Sequence, residues 1–291
     1  MSSRSLESRV KAKLASREQR GILRRLNATS LSGTTSGVQD ASSDPIDFSS
    51  NDYLSLASSH ELRSRFMAAL EKHTSLHPST RVLGSGGSRL LDGDSPMHAT
   101  LEKNLETFFG APAALLFNSG YDANVGFFSS VPQAGDAIVH DALIHASVHD
   151  GMRASRVHPS MRRGFKHNSL KDFQAHIVEL LETSSDIREG ISCVFIVVES
   201  LYSMDGDFAP LGEIVSLVQE YFPLQNAHII VDEAHATGIY GKNGRGLASL
   251  LGLEDRILAR LHTFGKALGT GGGPLILQTL KSPIILKLVP I

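Results

Sequence analysis

The chain has 291 residues, 41% of them hydrophobic and 20% charged, with a formal net charge of −2. That balance is ordinary for a folded globular protein, and it gives no reason to expect nucleic acid or an acidic membrane surface as a partner. The single cysteine, Cys193, excludes an intrachain disulfide and points to a reducing compartment. The cytoplasm is the expected location, with peroxisome and mitochondrion as alternatives.

No run approaches the roughly 20 apolar residues that a membrane-spanning helix needs. The first 27 residues carry eight Lys or Arg against Glu7 and Glu18. Leu6, Val10 and Leu14 recur at helical spacing, so residues 1–27 read as a basic arm, helical from Leu6 to Leu26, rather than as a cleaved presequence. Residues 28–45 are rich in Ser, Thr and Gly and read as a flexible linker. From 46 to 273 short apolar strands alternate with helical patterns. The strand candidates are Ala114–Phe117, Ala137–Val139, Val194–Val198, His228–Val231 and Leu258–Leu261. Met97–Phe109 and Leu211–Tyr221 are examples of the helices between them. This alternation predicts an α/β fold, a mostly parallel sheet with helices on both faces. In such sheets ligands collect at the C-terminal strand ends, where Glu199, Asp232 and the loop to Lys266 fall. Cys193, inside an apolar run, reads as a buried and inert thiol.

Lys266 lies in His262-Thr-Phe-Gly-Lys-Ala-Leu-Gly269, ahead of a cluster of glycines, and Asp232 stands 34 residues earlier in Ile229-Ile-Val-Asp232-Glu-Ala-His235. A lysine that forms and breaks an imine needs a flexible backbone and a hydroxyl neighbour. A carboxylate closing a buried strand is suited to holding a pyridinium nitrogen in its charged form. Together these are the working parts of a pyridoxal phosphate enzyme. His235 can reach the phenolic oxygen of the same ring. Taken alone, Asp232 would be a strand-end acid capping the next helix.

Asn118-Ser-Gly120-Tyr121-Asp-Ala-Asn124 follows a strand and opens a helix, where free N–H groups suit a phosphate; an ordinary strand-to-helix turn is the alternative. Gly84-Ser-Gly-Gly-Ser88 lacks a preceding strand and reads as a substrate-site loop. His145 could stack on a flat heteroaromatic ring, although most of thirteen histidines will be structural. Glu199 and Ser203 follow a buried strand, and Ser203 could place a hydroxyl near the cofactor; local caps in a turn are the alternative. No metal site is expected.

These segments, in this order, resemble the α-oxoamine synthases, a branch of the fold type I pyridoxal phosphate enzymes. The match also takes in Leu23-Arg24-Arg25, Phe48-Ser-Ser-Asn51-Asp-Tyr-Leu54, His145-Ala-Ser147, Phe165-Lys-His167-Asn168 and Ser203-Met-Asp-Gly-Asp207, and runs to about Gly273. The resemblance implies that Lys266 is the Schiff-base lysine, Asp232 the pyridinium partner and His145 the ring-stacking group. It implies that Gly120, Tyr121, Ser203, His235 and Thr263 contact the cofactor, and that Arg24 and Asn51 contact substrate. Pyridoxal 5'-phosphate, an amino acid, an acyl-CoA and a homodimer follow as implied partners. Family members continue for on the order of a hundred residues beyond the lysine, in a small α/β domain with a carboxylate-binding arginine. Residues 274–291 do not resemble that continuation and read as a divergent tail, so the expectation is a truncated chain whose small C-terminal domain is missing.

Overall fold

A computed structural model describes residues 5–23, 48–76 and 84–278. Arg24, the expected linker 28–45 and the tail beyond Gln278 lie outside the described residues. The chain divides into two units, 1–50 and 51–291.

In the first unit, α1 spans Leu6–Gln19, with the Ser5 hydroxyl accepting from the Ser8 backbone N–H at 3.3 Å. The helix ends at Gln19, about two turns short of the expected end at Leu26. Gly21 adopts φ +67°, a left-handed conformation that stops a helix. Leu6, Val10 and Leu14 are all exposed, and α1 buries no residue.

The second unit is built on a sheet. Its strands are β1 (Ala113–Phe117), β2 (Ala137–Asp141), β3 (Arg162–Phe165), β4 (Val194–Glu199), β5 (Ala227–Asp232), β6 (Ala259–Leu261) and β7 (Gly273–Leu277). They lie in the order β1-β7-β6-β5-β4-β2-β3. The β2–β3, β2–β4, β4–β5 and β5–β6 pairs are parallel, and β7 runs antiparallel to both β1 and β6. The helices are α2 (His60–Leu76), α3 (Pro96–Phe109), α4 (Gly120–Ser130), α5 (Ala146–Ala154), α6 (Leu170–Thr183), α7 (Ser185–Arg188), α8 (Leu211–Tyr221) and α9 (Leu247–Leu250).

The side-chain alternation of β4 shows why the sheet is covered twice. Val194, Ile196 and Val198 join α6 and α8 in one core through Phe173, Ile177, Ile214 and Val215. Phe195 and Val197 point the other way, against α4 and α5, with Phe127, Phe128, Val148 and Met152. A strand apolar at every position is the consequence of burial on both faces. The α/β sheet with helices on both faces is therefore as expected.

Two strands escape a reading based on apolar runs. β3, Arg162-Arg-Gly-Phe165, is polar because it closes one edge of the sheet. β7 occupies a place inside the sheet between β1 and β6, with all five residues buried, so the sheet extends to Leu277, past the boundary expected at Gly273. Gly-Pro at its start hid it, since proline lacks the ladder donor. Cys193, just before β4, is half-buried rather than enclosed. Among the described residues no helix is long and apolar enough to cross a membrane.

Candidate active site

The parallel strands bring their C-terminal ends to one edge. Glu199 closes β4, and its register partner Asp232 closes β5. Leu261, paired with Asp232, closes β6, and the chain turns through residues 262–272 to enter β7 in the opposite direction. Lys266 sits on that connection. Phe117 of β1 faces Gly273, so the start of α4 reaches the same edge. Gly120 packs closely there: a Cβ would stand 3.2 Å from the Thr263 Cβ, tighter than ordinary van der Waals contact.

A cavity of about 170 Å³ opens at this edge, lined by Gly120, Tyr121, His145, Thr263 and Lys266 and floored by Asp232, His235, Glu199, Asn124 and Ser147. Asp232 is buried with both carboxylate oxygens engaged. Oδ2 accepts from Asn124 Nδ2 at 2.8 Å, and Oδ1 accepts from the Ala234 N–H at 2.9 Å. Asn124 also donates to Ser147 Oγ at 3.0 Å, and that hydroxyl lies 2.7 Å from His145 Nδ1. The acid and the candidate stacking ring are therefore joined through α4 and α5. The Tyr121 ring meets His145 edge-on, at 6.1 Å between centroids, and its hydroxyl bonds Asp150.

Lys266 Nζ lies 2.7 Å from His235 Nε2. Burial lowers the Lys266 ammonium below the usual lysine range, against the opposing pull of Asp232 and Glu199. His235 is pushed down to about 4, first by burial and then by the Lys266 charge and by His145. The Glu199 carboxyl is pushed up to about 8, first by burial and then by the Asp232 carboxylate beside it. An amine that deprotonates readily, a neutral imidazole and one fixed carboxylate share the cavity.

Seven of the residues singled out in the sequence thus line one cavity: Gly120, Tyr121, His145, Asp232, His235, Thr263 and Lys266. Three do not. Ser203 is exposed in a turn after β4 and lies outside the cavity lining, because the chain folds back through the Leu201–Phe208 bridge there. Asn51 is exposed and reaches the site only through Tyr53, whose hydroxyl donates to Asn51 Oδ1 at 3.1 Å. Arg24 lies outside the described residues. The Gly84–Ser88 loop borders separate cavities of about 340 and 780 Å³ shared with His98, Leu116 and Asn118. Asn124 was missed as a functional residue. Its only sequence signal is a polar residue on the helix face turned to the sheet, one turn after Gly120.

An acid at the end of β5 and a lysine on the turn into the antiparallel strand β7 define the large domain of a fold type I transferase. The sequence model of the aminotransferase class I and II family matches residues 43–284, and the chain belongs to that family. It is 50% identical over 230 residues to an 8-amino-7-oxononanoate synthase of Emericella nidulans, covering 79% of this chain and 54% of that protein. It is 42% identical over 227 residues to the aminoacyl transferase sphA of Byssochlamys spectabilis, covering 78% and 47%. Among solved structures it resembles a serine palmitoyltransferase with pyridoxal phosphate as internal aldimine. The TM-score is 0.76 at 28% identity, covering 98% of this chain and 67% of that one. The 8-amino-7-oxononanoate and serine palmitoyl enzymes are α-oxoamine synthases, the branch whose motifs this sequence carries. The chain spans about half the length of the curated relatives it matches.

Proposed function

We propose that this chain is the cofactor-binding domain of a pyridoxal phosphate-dependent acyltransferase. It condenses an amino acid with an acyl-CoA, forming a carbon–carbon bond and releasing CO2 and CoA. The observation that carries this reading is the Lys266 amine in one cavity with the fixed Asp232 carboxylate and two imidazoles. The donor set fits the group. Lys266 suits its aldehyde, Asp232 its ring nitrogen, His145 its ring face, and the start of α4 beside Gly120 and Thr263 its phosphate.

When bound, the cofactor supplies an electron sink for charge developing at the α-carbon of the amino acid. The residues of this chain supply the rest. Asp232, immobilised by Asn124 and Ala234, would hold a proton at the ring nitrogen. Lys266 accepts the α-proton at Nζ, a role its burial favours by easing deprotonation. His145 would cover the ring face and limit water, and His235 would offer a ring nitrogen to the phenolic oxygen.

The family resemblance favours L-alanine and pimeloyl-CoA as substrates and a place in biotin formation, in keeping with the likeness to an 8-amino-7-oxononanoate synthase. A second reading, a synthase using glycine or serine with another acyl-CoA, is favoured by the likeness to sphA and to serine palmitoyltransferase. Retention of Lys266 argues against a non-catalytic subunit. The working assembly is a homodimer on this reading. Borohydride reduction in the presence of pyridoxal phosphate, followed by peptide mapping, should place the adduct on Lys266. An adduct elsewhere, or none on a folded chain, would overturn the assignment, and substrate profiling of a chain extended to the length of its relatives separates the two substrate readings.

A further inference from the structure

The segment from Asn51 to Ala57 is pinned against the lysine loop. The Asp52 carboxylate accepts from the Leu56 N–H at 2.9 Å and the Ala57 N–H at 3.1 Å. Gly269, three residues past Lys266, lets the segment approach: a Cβ at Gly269 would stand 2.6 Å from the Ala57 nitrogen. Tyr53 is thereby carried to the cavity, with its Oη 2.7 Å from His235 Nδ1 and 3.1 Å from Asn51 Oδ1.

A phenol has one hydrogen, and an amide oxygen can only accept. Both contacts are hydrogen bonds only if the hydroxyl donates to Asn51 Oδ1 and accepts from His235 Nδ1–H. Nε2 then carries a lone pair, 2.7 Å from Lys266 Nζ, and accepts one ammonium hydrogen. The groups facing this pair are Asp232 and Glu199 around Lys266, and His145 and Tyr53 around His235.

We propose that Tyr53 is a positioning residue: backed by Asn51, it fixes His235 as the Nδ1–H tautomer and so keeps an acceptor in front of the Lys266 amine. The proposal rests on the reading of Lys266 as the imine-forming lysine. Its consequence is that the ammonium form keeps a partner despite burial, so that loss of the tautomer shifts Lys266 deprotonation to lower pH.

The test uses the cofactor-free chain labelled with [15N]histidine, with the His235 signals assigned by their loss in His235→Gln. Long-range proton–nitrogen spectra of the wild type should show a protonated Nδ1 and a bare Nε2. Tyr53→Phe keeps the ring and removes the acceptor, and the single-tautomer pattern should be lost. Asn51→Ala frees the hydroxyl hydrogen to donate to Nδ1, and His235 should move to Nε2–H. Because Asn51 is exposed, this variant carries the test even where Tyr53→Phe fails to fold. The pH midpoint for acylation of Lys266 by a small anhydride, read by peptide mapping, should fall by about one pH unit in both variants, the scale of a lost charge-assisted hydrogen bond. An Nε2–H tautomer in the wild type, or both variants keeping the wild-type spectrum and midpoint, overturns the proposal. Failure of pyridoxal phosphate to attach to Lys266 in the wild type would instead overturn the functional reading, and the tautomer assignment would stand or fall on its own spectra.

Discussion

Asp232 and Glu199 are neighbours in register on adjacent strands, yet their surroundings differ. Asp232 has two N–H donors, whereas Glu199 is held above the ordinary carboxylate range by burial and by Asp232 itself. On the proposed reading, replacing Asp232 with Asn removes the charge offered to the ring nitrogen. The expected result is a folded chain that binds pyridoxal phosphate at least about tenfold more weakly, as for loss of a hydrogen bond to a charged group. Fluorescence titration checks it. Glu199 makes a separate prediction in the cofactor-free chain. Its raised folded-state pKa means that the stability it contributes is complete below the ordinary carboxylate range and is lost as pH rises through about 8. The wild-type melting temperature should therefore fall between about pH 5 and pH 8, and Glu199→Gln should flatten that fall. Parallel slopes in the two proteins would show that Glu199 is ionised throughout.

The connection from β6 to β7 is the element on which the site depends. It must present Lys266 at the sheet edge and then reverse into a strand that runs against its neighbours. Gly269 serves this with φ +61° and by admitting the backbone of Leu56 and Ala57. Gly269→Ala adds strain from the left-handed backbone and a clash with main-chain atoms. It is expected to cost more than about 2 kcal/mol in urea unfolding and to displace Tyr53 from His235. β7 itself is tested at Ile276, which is fully buried with Leu105, Phe109 and Ala114. Ile276→Ala should cost about 2–5 kcal/mol, the usual range for truncating a buried aliphatic side chain. A negligible loss would mean that these residues do not belong to the sheet.

At the scale of the whole molecule, the described surface carries large apolar side chains with no cover. Leu90 and Leu91 are 75% and 80% exposed, and Leu62, Phe66 and Met67 stand exposed on α2, which buries no residue. Exposed apolar side chains in this number favour association. Sedimentation of this chain at increasing concentration should show self-association, and Leu90→Ser with Leu91→Ser should shift the distribution toward monomer. A single monomeric species at all concentrations would count against it.

The sequence by itself determined the class of fold and the family. Strands apolar at successive positions require cover on both faces, which is why Val194–Val198 and His228–Val231 could be read as interior strands from the sequence. Lys266, Asp232 and His235 could be singled out by residue type and spacing, and the fold brings them into one cavity. What the tertiary structure decided are the partnerships between residues distant in sequence. Asn124 meets Asp232 across 108 positions, and Tyr53 meets His235 across 182. Neither leaves a local periodic signal. β7 was likewise decided by its place between β1 and β6, because its Gly-Pro start reads as a break in any single-strand pattern. Ser203 shows the converse. Its local motif was suggestive, but the chain folds back through the Leu201–Phe208 bridge and leaves it facing solvent.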